Sequence, residues 1–300
     1  MKTILVTGAA GQLGTEIRLL SRHRGGDLRR WIFTDIAPSE GILPLDILDK
    51  KACKDLCISE KVECIINCAA YNKVDAAETD IDRCRQLNAE APGKLARIAS
   101  KLDIPLIHIS SDYVFDGLKR IDPYFENSKC QPLSVYGRSK RDGELAVIRS
   151  RARGAIIRTS WLYSPFGENF VKTMLRLGAE RETISVVADQ RGNPTAAIDL
   201  ADAILRIITR LNNAPAQIYH YSNEGVCSWY ELASLAIHYA GLPCQVLPIT
   251  SAEYPTAAQR PVCTNLDKGK IKVAFRVEVP FWAASLKRCI ERIKAAEKGL

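Results

Sequence analysis

The chain opens on the feature that most restricts its fold. A short apolar, β-branched run, Lys2–Thr7 (KTILVT), passes at once into GAAGQLG (Gly8–Gly14) and then into TEIRLLSRH. The first run reads as a strand, and Ile17, Leu19 and Leu20 of the last fit one face of a helix. A strand, a glycine-rich turn and a helix start make an anion site, because backbone N–H groups and the helix N-terminus point at the same place. Gly8 permits the tight turn, Gly11 lets a pyrophosphate approach the backbone, and Gly14 lets the helix lie close to the strand. The spacing is G-x-x-G-x-x-G, not the G-x-G-x-x-G of the standard fingerprint, so the turn needs support from the neighbouring chain. WIFTD (Trp31–Asp35) gives it: a second apolar run ending in an acid 21 residues beyond Gly14, where a ribose-binding carboxylate belongs. The succession reads as a dinucleotide site. A carboxylate at Asp35 accepts bonds from both ribose hydroxyls of NADH and repels the 2′-phosphate of NADPH, which slightly favours NADH. Arg29 and Arg30 could swing in and soften that preference.

The remaining chain keeps the alternation. Val62–Asn67, Ile104–Ser110 and Ala155–Trp161 read as strands, and Ala89–Lys101 and Ser134–Arg149 as helices. After about Gly192 the rhythm loosens, with helices near Ile198–Leu211 and Trp229–Ala240 and prolines at Pro243, Pro248, Pro255 and Pro261. The pattern predicts an α/β fold: a Rossmann-type, doubly wound parallel sheet with a smaller C-terminal α/β substrate lobe. Residues 1–165, with part of 190–225, are assigned to an NAD(P)-binding domain, and the remainder of 166–300 to the lobe. A chain of 300 residues exceeds a typical single core, which suits this division. No apolar run reaches membrane-spanning length and no leader precedes the first strand, so the expected location is the cytoplasm. The net charge of +8 is spread along the chain; it suits anionic small ligands and gives no basic block for nucleic acid. The ten cysteines include Cys53/Cys57 and Cys64/Cys68 at C-x-x-x-C spacing, which is not the C-x-x-C of a structural zinc site, so buried reduced thiols are expected.

Ligands of such sheets lie beyond the carboxyl ends of the strands, and polar residues gather there. One strand runs into Ser110-Ser111-Asp112-Tyr113, where a serine hydroxyl could bond a substrate carbonyl as charge develops on its oxygen. Another ends in Asn67-Cys68-Ala69-Ala70-Tyr71, small enough for a nicotinamide ribose to approach. A third ends in Thr159-Ser160-Trp161. Tyr136 and Lys140, four apart on a helix, face the same side. A cation beside a phenol favours phenolate and lowers its pKa, making Tyr136 a candidate general acid/base. Taken alone, the pair also fits a solvated helix face.

Together these segments resemble the dTDP-4-dehydrorhamnose reductases of the extended short-chain dehydrogenase/reductase superfamily. The likeness runs over nearly the whole chain: GAAGQLG, NCAAYNKVDAAE (Asn67–Glu78), LNAEAPGKLA, HISSDYVFDG, PLSVYGRSKRDGE (Pro132–Glu144), IIRTSWLYSPFGENFVKTML, DQRGNPT, SWYELA and YPTAAQRP (Tyr254–Pro261). It implies hydride transfer from NADH or NADPH to the C4 ketone of a sugar nucleotide. Tyr136 would be the proton donor, Lys140 would hold the nicotinamide ribose, and Ser111, where the family usually has Thr, would orient the carbonyl. Gly11, Gln12 and Leu13 would line the pyrophosphate, with Gly8 and Gly14 completing the cofactor-binding turn and Asp35, Asp46 and Ile47 around the adenosine. Ala69, Ala70, Tyr71 and Asn72 would flank the nicotinamide side. Ser111, Asp112, Tyr113 and Trp161 would touch the sugar, with Asn169 and Arg260 near the dTDP end. Some members dimerise through magnesium held by acids; here Glu16 matches, but Ile198 stands where the second acid belongs, beside Asp199. No metal is therefore expected, and the chain is expected to be a monomer or a differently built homodimer.

Three other readings compete. In sugar-nucleotide dehydratases, which share the fold and the Tyr/Lys pair, a Thr-Asp-Glu run supplies acid and base for elimination, whereas Tyr113 follows Asp112 here. A non-catalytic dinucleotide-binding regulator, like the methionine adenosyltransferase β subunit, could keep the same residues. A reductase of another 4-keto-6-deoxy sugar nucleotide is the third.

Overall fold

A computed structural model describes residues 2–23, 29–118 and 122–298. Seven strands form one parallel sheet: β1 (Thr3–Thr7), β2 (Arg30–Asp35), β3 (Leu43–Pro44), β4 (Val62–Asn67), β5 (Leu106–Ser111), β6 (Gly154–Thr159) and β7 (Gln217–His220), in the order β7-β6-β5-β4-β1-β2-β3. The helices that organise the molecule are α1 (Gln12–His23), α2 (Lys50–Ser59), α3 (Ala91–Lys101), α4 (Val135–Arg149), α5 (Phe170–Glu180), α6 (Ala197–Ile208), α7 (Trp229–Ala240) and α8 (Trp282–Lys298).

Period-two alternation sorts the side chains of β1 between two cores. Ile4 and Val6 pack with Ile66, Ile107 and Ile157 under Leu13 and Ile17 of α1 and Leu200, Ile204 and Ile207 of α6. Leu5 turns the other way, with Ile65, Leu106 and Ile156, under α2, α3 and α4 (Cys53, Cys57, Leu95, Ile98, Val147). Both faces are covered, which is why TILVT and CIIN read as continuous apolar runs. Chain order reverses direction across the sheet between β1 and β4, and this switch point opens a crevice at the carboxyl ends of the strands.

Helices α5, α7 and α8 build further cores beside the sheet, with a parallel strand pair, Thr183–Val187 on Gln245–Ile249. Two features exceed the sequence reading. The seventh strand comes from Gln217–His220, too short to show a period of its own. A helix at Gly269–Phe275, in the stretch assigned to the lobe, sends Ile271 and Phe275 into the core under α1 and α6. The helix read as Ala89–Lys101 starts as α-helix at Ala91, after a π-helical turn at Gln86–Glu90. All ten cysteines are free thiols.

Candidate active site

The glycine turn is shaped by close approach. Gly8 sits at φ +68°, and a Cβ there would lie 2.5 Å from the Ala69 nitrogen at the end of β4. A Cβ on Gly14 would lie 2.3 Å from the Gly8 carbonyl oxygen. These contacts press the start of α1 against the β1 turn and leave the open side of the turn to a cleft. The cleft consists of two adjoining cavities of about 200 and 350 Å³ that share Gly8, Gly11, Cys68, Ala70 and Asn72.

The smaller cavity is also walled by Asp35, Ile36, Asp46, Ile47, Ala69 and Arg83. The Asp35 carboxylate reaches back to the turn and accepts the Ala10 N–H (3.0 Å) and the Ala37 N–H (3.3 Å). Asp46 accepts the Leu48 N–H (2.8 Å), which fixes its loop. Arg29 and Arg30 do not reach this end. They lie at the opposite end of β2 from Asp35, Arg30 paired with Glu60 and Arg29 over the Trp31 ring. Arg30 and Asp35 stand at the two ends of this six-residue strand, five steps and about 16 Å apart at ~3.3 Å per residue. The cation that shares a cavity with Asp35 is Arg83, on the short helix Ile81–Arg85. Nothing in its local sequence marks it. Tyr71 is likewise not on the cleft wall. Its main-chain N–H and C=O are both bonded by the Asn88 side chain, and its ring packs with Val74, Ala77, Cys84 and Tyr136. Asn88 projects from the π-helical turn, so an irregularity invisible in the sequence holds the Ala69–Asn72 segment in place.

The larger cavity brings together Gly11, Gln12, Leu13 and Gly14 with Ser111, Asp112, Tyr113, Tyr136, Lys140, Trp161, Asn169 and Arg260. Ser134 caps α4 by accepting the Gly137 N–H, so the helix begins just before Tyr136. A Cβ at Gly137 would lie 2.2 Å from the Tyr113 carbonyl, and one at Gly143 would lie 2.1 Å from that of Asn88. Glycine at both positions lets α4 lie against the segments that carry the other site residues. Lys140 is buried and donates to the Ile109 carbonyl (2.7 Å). Burial pulls its pKa down to about 8. Burial pushes that of Tyr136 up, with Ser111 as the hydrogen-bonding group that offsets part of the rise. The expected lowering of the Tyr136 pKa is thus reversed: loss of solvent around the phenol raises it.

Ser111 donates to Asp112 Oδ1 (3.0 Å) and accepts the Tyr113 N–H (3.2 Å). The other Asp112 oxygen accepts from Thr264 (2.6 Å). Burial pushes the Asp112 carboxyl up to about 6. The Tyr113 ring stands edge-on to Tyr136 at 5.5 Å, and its hydroxyl accepts from Arg260 (3.0 Å). Arg260 is also bound by Asp75 (2.5 Å), which bridges the two sides of the cleft mouth.

Trp161 adopts φ +47° and stacks on Trp229 with ring centroids 3.6 Å apart. Gly192 lies under the indole, where a Cβ would come within 2.8 Å. Trp229, the first residue of α7, is a wall of the cleft that sequence reasoning passed over. Its only local sign is the capping box Ser228/Glu231, which marks a helix start and not a ligand. Asn169 caps α5 and donates to Gln12 (3.1 Å) and the Ser164 carbonyl (2.8 Å). Its amide is thus committed beside the glycine turn, in the same cavity as Arg260.

Glu16 and Asp199 both have partners within the chain. The Glu16 carboxylate is bound at both oxygens by Arg292 of α8 (2.7 and 2.9 Å), and Asp199 by Arg288 (2.9 Å), Asn223 (2.8 Å) and Ser285. Among the described residues no group of three or more His, Cys, Asp or Glu is placed to hold a metal ion.

A parallel sheet with a glycine turn at its switch point, and a buried Tyr/Lys pair in the same crevice, defines a protein of the short-chain dehydrogenase/reductase type. Residues 1–295 match the family model described as RmlD substrate binding domain, and the chain belongs to that family. It is 37% identical over 297 residues to the dTDP-4-dehydrorhamnose reductase of Aggregatibacter actinomycetemcomitans, covering 96% of this chain and 98% of that one. It is 37% identical over 296 residues to a probable dTDP-4,6-dihydroxy-2-methyloxan-3-one 4-ketoreductase of Streptomyces antibioticus, covering 98% and 96%. The fold matches the crystal structure of dTDP-4-dehydrorhamnose reductase from Bacillus anthracis in complex with NADP, with a TM-score of 0.88 and 35% identity, over 97% of this chain and all (100%) of that one.

Proposed function

We propose that the protein reduces the C4 ketone of dTDP-4-dehydrorhamnose to dTDP-L-rhamnose with a reduced nicotinamide dinucleotide. The observation that carries this reading is that Tyr136, Lys140 and Ser111 line the same cavity as Gly11, Gln12 and Gly14. A bound reduced nicotinamide supplies the hydride to C4. The protein supplies orientation and the proton.

Tyr136 gives its proton to the oxygen that becomes an alkoxide. The upward shift of its pKa suits this direction: the phenol is fully protonated at neutral pH, and an alkoxide is a much stronger base than a phenolate. Lys140 offers an ammonium to the nicotinamide ribose, beside the Ile109 carbonyl. Ser111 holds the ketone oxygen by turning its single hydroxyl proton from Asp112 to the substrate. The Trp161/Trp229 stack bounds the sugar, Tyr113 lies beside it, and Arg260 faces the anionic nucleotide end. Gly8, Gly11 and Leu13 take the pyrophosphate, with Gln12 and Asn169 closing over it. Asp35, Asp46 and Ile47 surround the adenosine ribose, and Ala69, Ala70 and Asn72 the nicotinamide side. Asp35 favours NADH by its charge, and Arg83 tempers that preference.

The test is product analysis by NMR after incubation with the 4-keto sugar nucleotide and each coenzyme. Formation of dTDP-L-rhamnose with stoichiometric coenzyme oxidation is expected. No turnover, together with tight binding of a partner enzyme, would replace the reading with that of a regulator. The Streptomyces relative favours one second reading, reduction of a different 4-keto-6-deoxy sugar nucleotide, which the same experiment with that substrate would reveal.

A further inference from the structure

Tyr136 and Lys140 belong to a stripe that continues one turn further, to Glu144. This carboxylate is fully buried, and each of its oxygens is occupied. Ser110 donates to Oε1 (2.7 Å), Arg158 bonds both oxygens (2.7 and 2.8 Å), and Arg141 reaches Oε2 (2.7 Å). Ser110 precedes Ser111 on β5, and Arg158 on β6 lies three residues before Trp161. Successive residues of β5 therefore bind α4: the Ile109 carbonyl takes Lys140, and the Ser110 hydroxyl holds Glu144. One carboxylate joins the three segments that deliver the proton donor, the carbonyl-binding serine and the indole.

The surroundings of Lys140 give this carboxylate a second effect. The titratable groups facing the ammonium are Glu144 on α4, Cys84 on Ile81–Arg85, Cys68 just past β4, and His108 on β5, and Tyr136 stands one helical turn before it on α4. Burial pushes both thiols and the phenol up and His108 well below its ordinary value, so these four are uncharged near neutral pH. Glu144, held well ionised by Arg158, is the remaining negative charge among them.

We propose that Glu144 is a positioning residue for the reaction: it pins the Tyr136–Lys140 helix to β5 and β6, and it is the counter-charge that keeps buried Lys140 an ammonium. This rests on the reading of Lys140 as a cationic ribose-binding group. A charge one helical turn away in a partly polar interior moves a neighbour's titration by about one to two pH units. Glu144→Gln removes that charge and leaves the Arg158 cation unpaired nearby, so Lys140 should lose its proton at lower pH. Glu144→Gln with Arg158→Met removes both charges of the buried pair, while the partly exposed Arg141 keeps its charge in both variants. Replacing a buried ion pair with neutral groups commonly preserves folding where breaking it does not. In this second variant the shift should be smaller, because the buried uncompensated guanidinium of Arg158 is gone.

The experiment titrates the 13Cε signal of Lys140, assigned by its loss in Lys140→Arg, in the full-length wild type and both variants. It also records the alkaline limb of kcat/KM for NADH with the 4-keto sugar nucleotide. The expected wild-type midpoint is about 8. It should fall by about one to two pH units in Glu144→Gln and by less in the double variant, and the alkaline limb should move with it. A merely structural carboxylate would lower activity without this graded shift. Equal midpoints in all three proteins would overturn the proposal. The NMR titration needs no turnover, so an inactive wild type would sink the reductase reading while the counter-charge was still decided.

Discussion

The two ends of the cleft are built by different means. At the glycine turn the shape comes from backbone: Gly8 in a left-handed conformation, Gly14 against the Gly8 carbonyl, and Asp35 bonded to the Ala10 N–H. At the tyrosine end it comes from buried side chains donated by distant segments: Ser111, Asp112 and Thr264 in one chain of bonds, and Ser110, Glu144 and Arg158 in another. The backbone end is preorganised by local geometry. The other end is preorganised only once the whole sheet and its helices have assembled, and it carries the desolvation cost of Lys140, Glu144 and Arg158.

The contrast implies a gradient of effects. Tyr136→Phe removes the proton donor alone, so kcat should fall about 10²- to 10⁴-fold while the dissociation constant of the coenzyme, measured by fluorescence titration, stays near the wild-type value. Retention of most activity would require another acid in the crevice. Gly14→Ala strikes the backbone end and should cost about 1–3 kcal/mol of stability by overpacking, read from denaturant midpoints. An unchanged midpoint would show that the turn yields more easily than the 2.3 Å approach suggests. Asp35→Ala removes the proposed bonds between a charged acceptor and the ribose, and on that proposal should narrow the NADH-over-NADPH ratio of kcat/KM by about tenfold. An unmoved ratio would mean that the carboxylate serves only the Ala10 N–H.

Asp75→Ala frees Arg260 at the partly exposed cleft mouth. Because exposed ion pairs are weak, the KM for the sugar nucleotide should change by no more than about 3- to 5-fold, with kcat nearly constant. A large fall in kcat would place Asp75 closer to the chemistry than its geometry does. The smallest effect concerns pH. The folded-state pKa of Asp112, about 6, lies above its ordinary 3.8. Its contribution to stability is thus complete below about 4 and is lost as pH rises through about 6. Asp112→Asn should flatten the stability curve across that window, and an identical slope in wild type and variant would show that the carboxyl does not titrate there.

Much of the cofactor end was legible in the sequence. The apolar runs, the glycine spacing, Asp35, and the Ser134–Arg149 helix all follow from local periodicity and local sterics, and the resemblance placed Ser111, Asp112, Trp161 and Arg260 on the cleft. Arg83, Trp229 and Glu144 were not singled out, and Tyr71 and the Arg29/Arg30 pair were expected in places where the fold does not put them. These placements depend on where side chains distant in sequence end up, as with Asn88 on Tyr71 and Glu60 on Arg30.

The sequence by itself determined a parallel α/β sheet with a dinucleotide turn and a phenol–ammonium pair, because strand burial, helix periodicity and glycine conformations act over a few neighbouring residues. Only the tertiary structure decided which way each member of that pair is shifted. Burial raises Tyr136 and lowers Lys140, and burial is the sum of packing from β4, β5, the Ile81–Arg85 helix and α4 itself. No local stretch of sequence carries that sum.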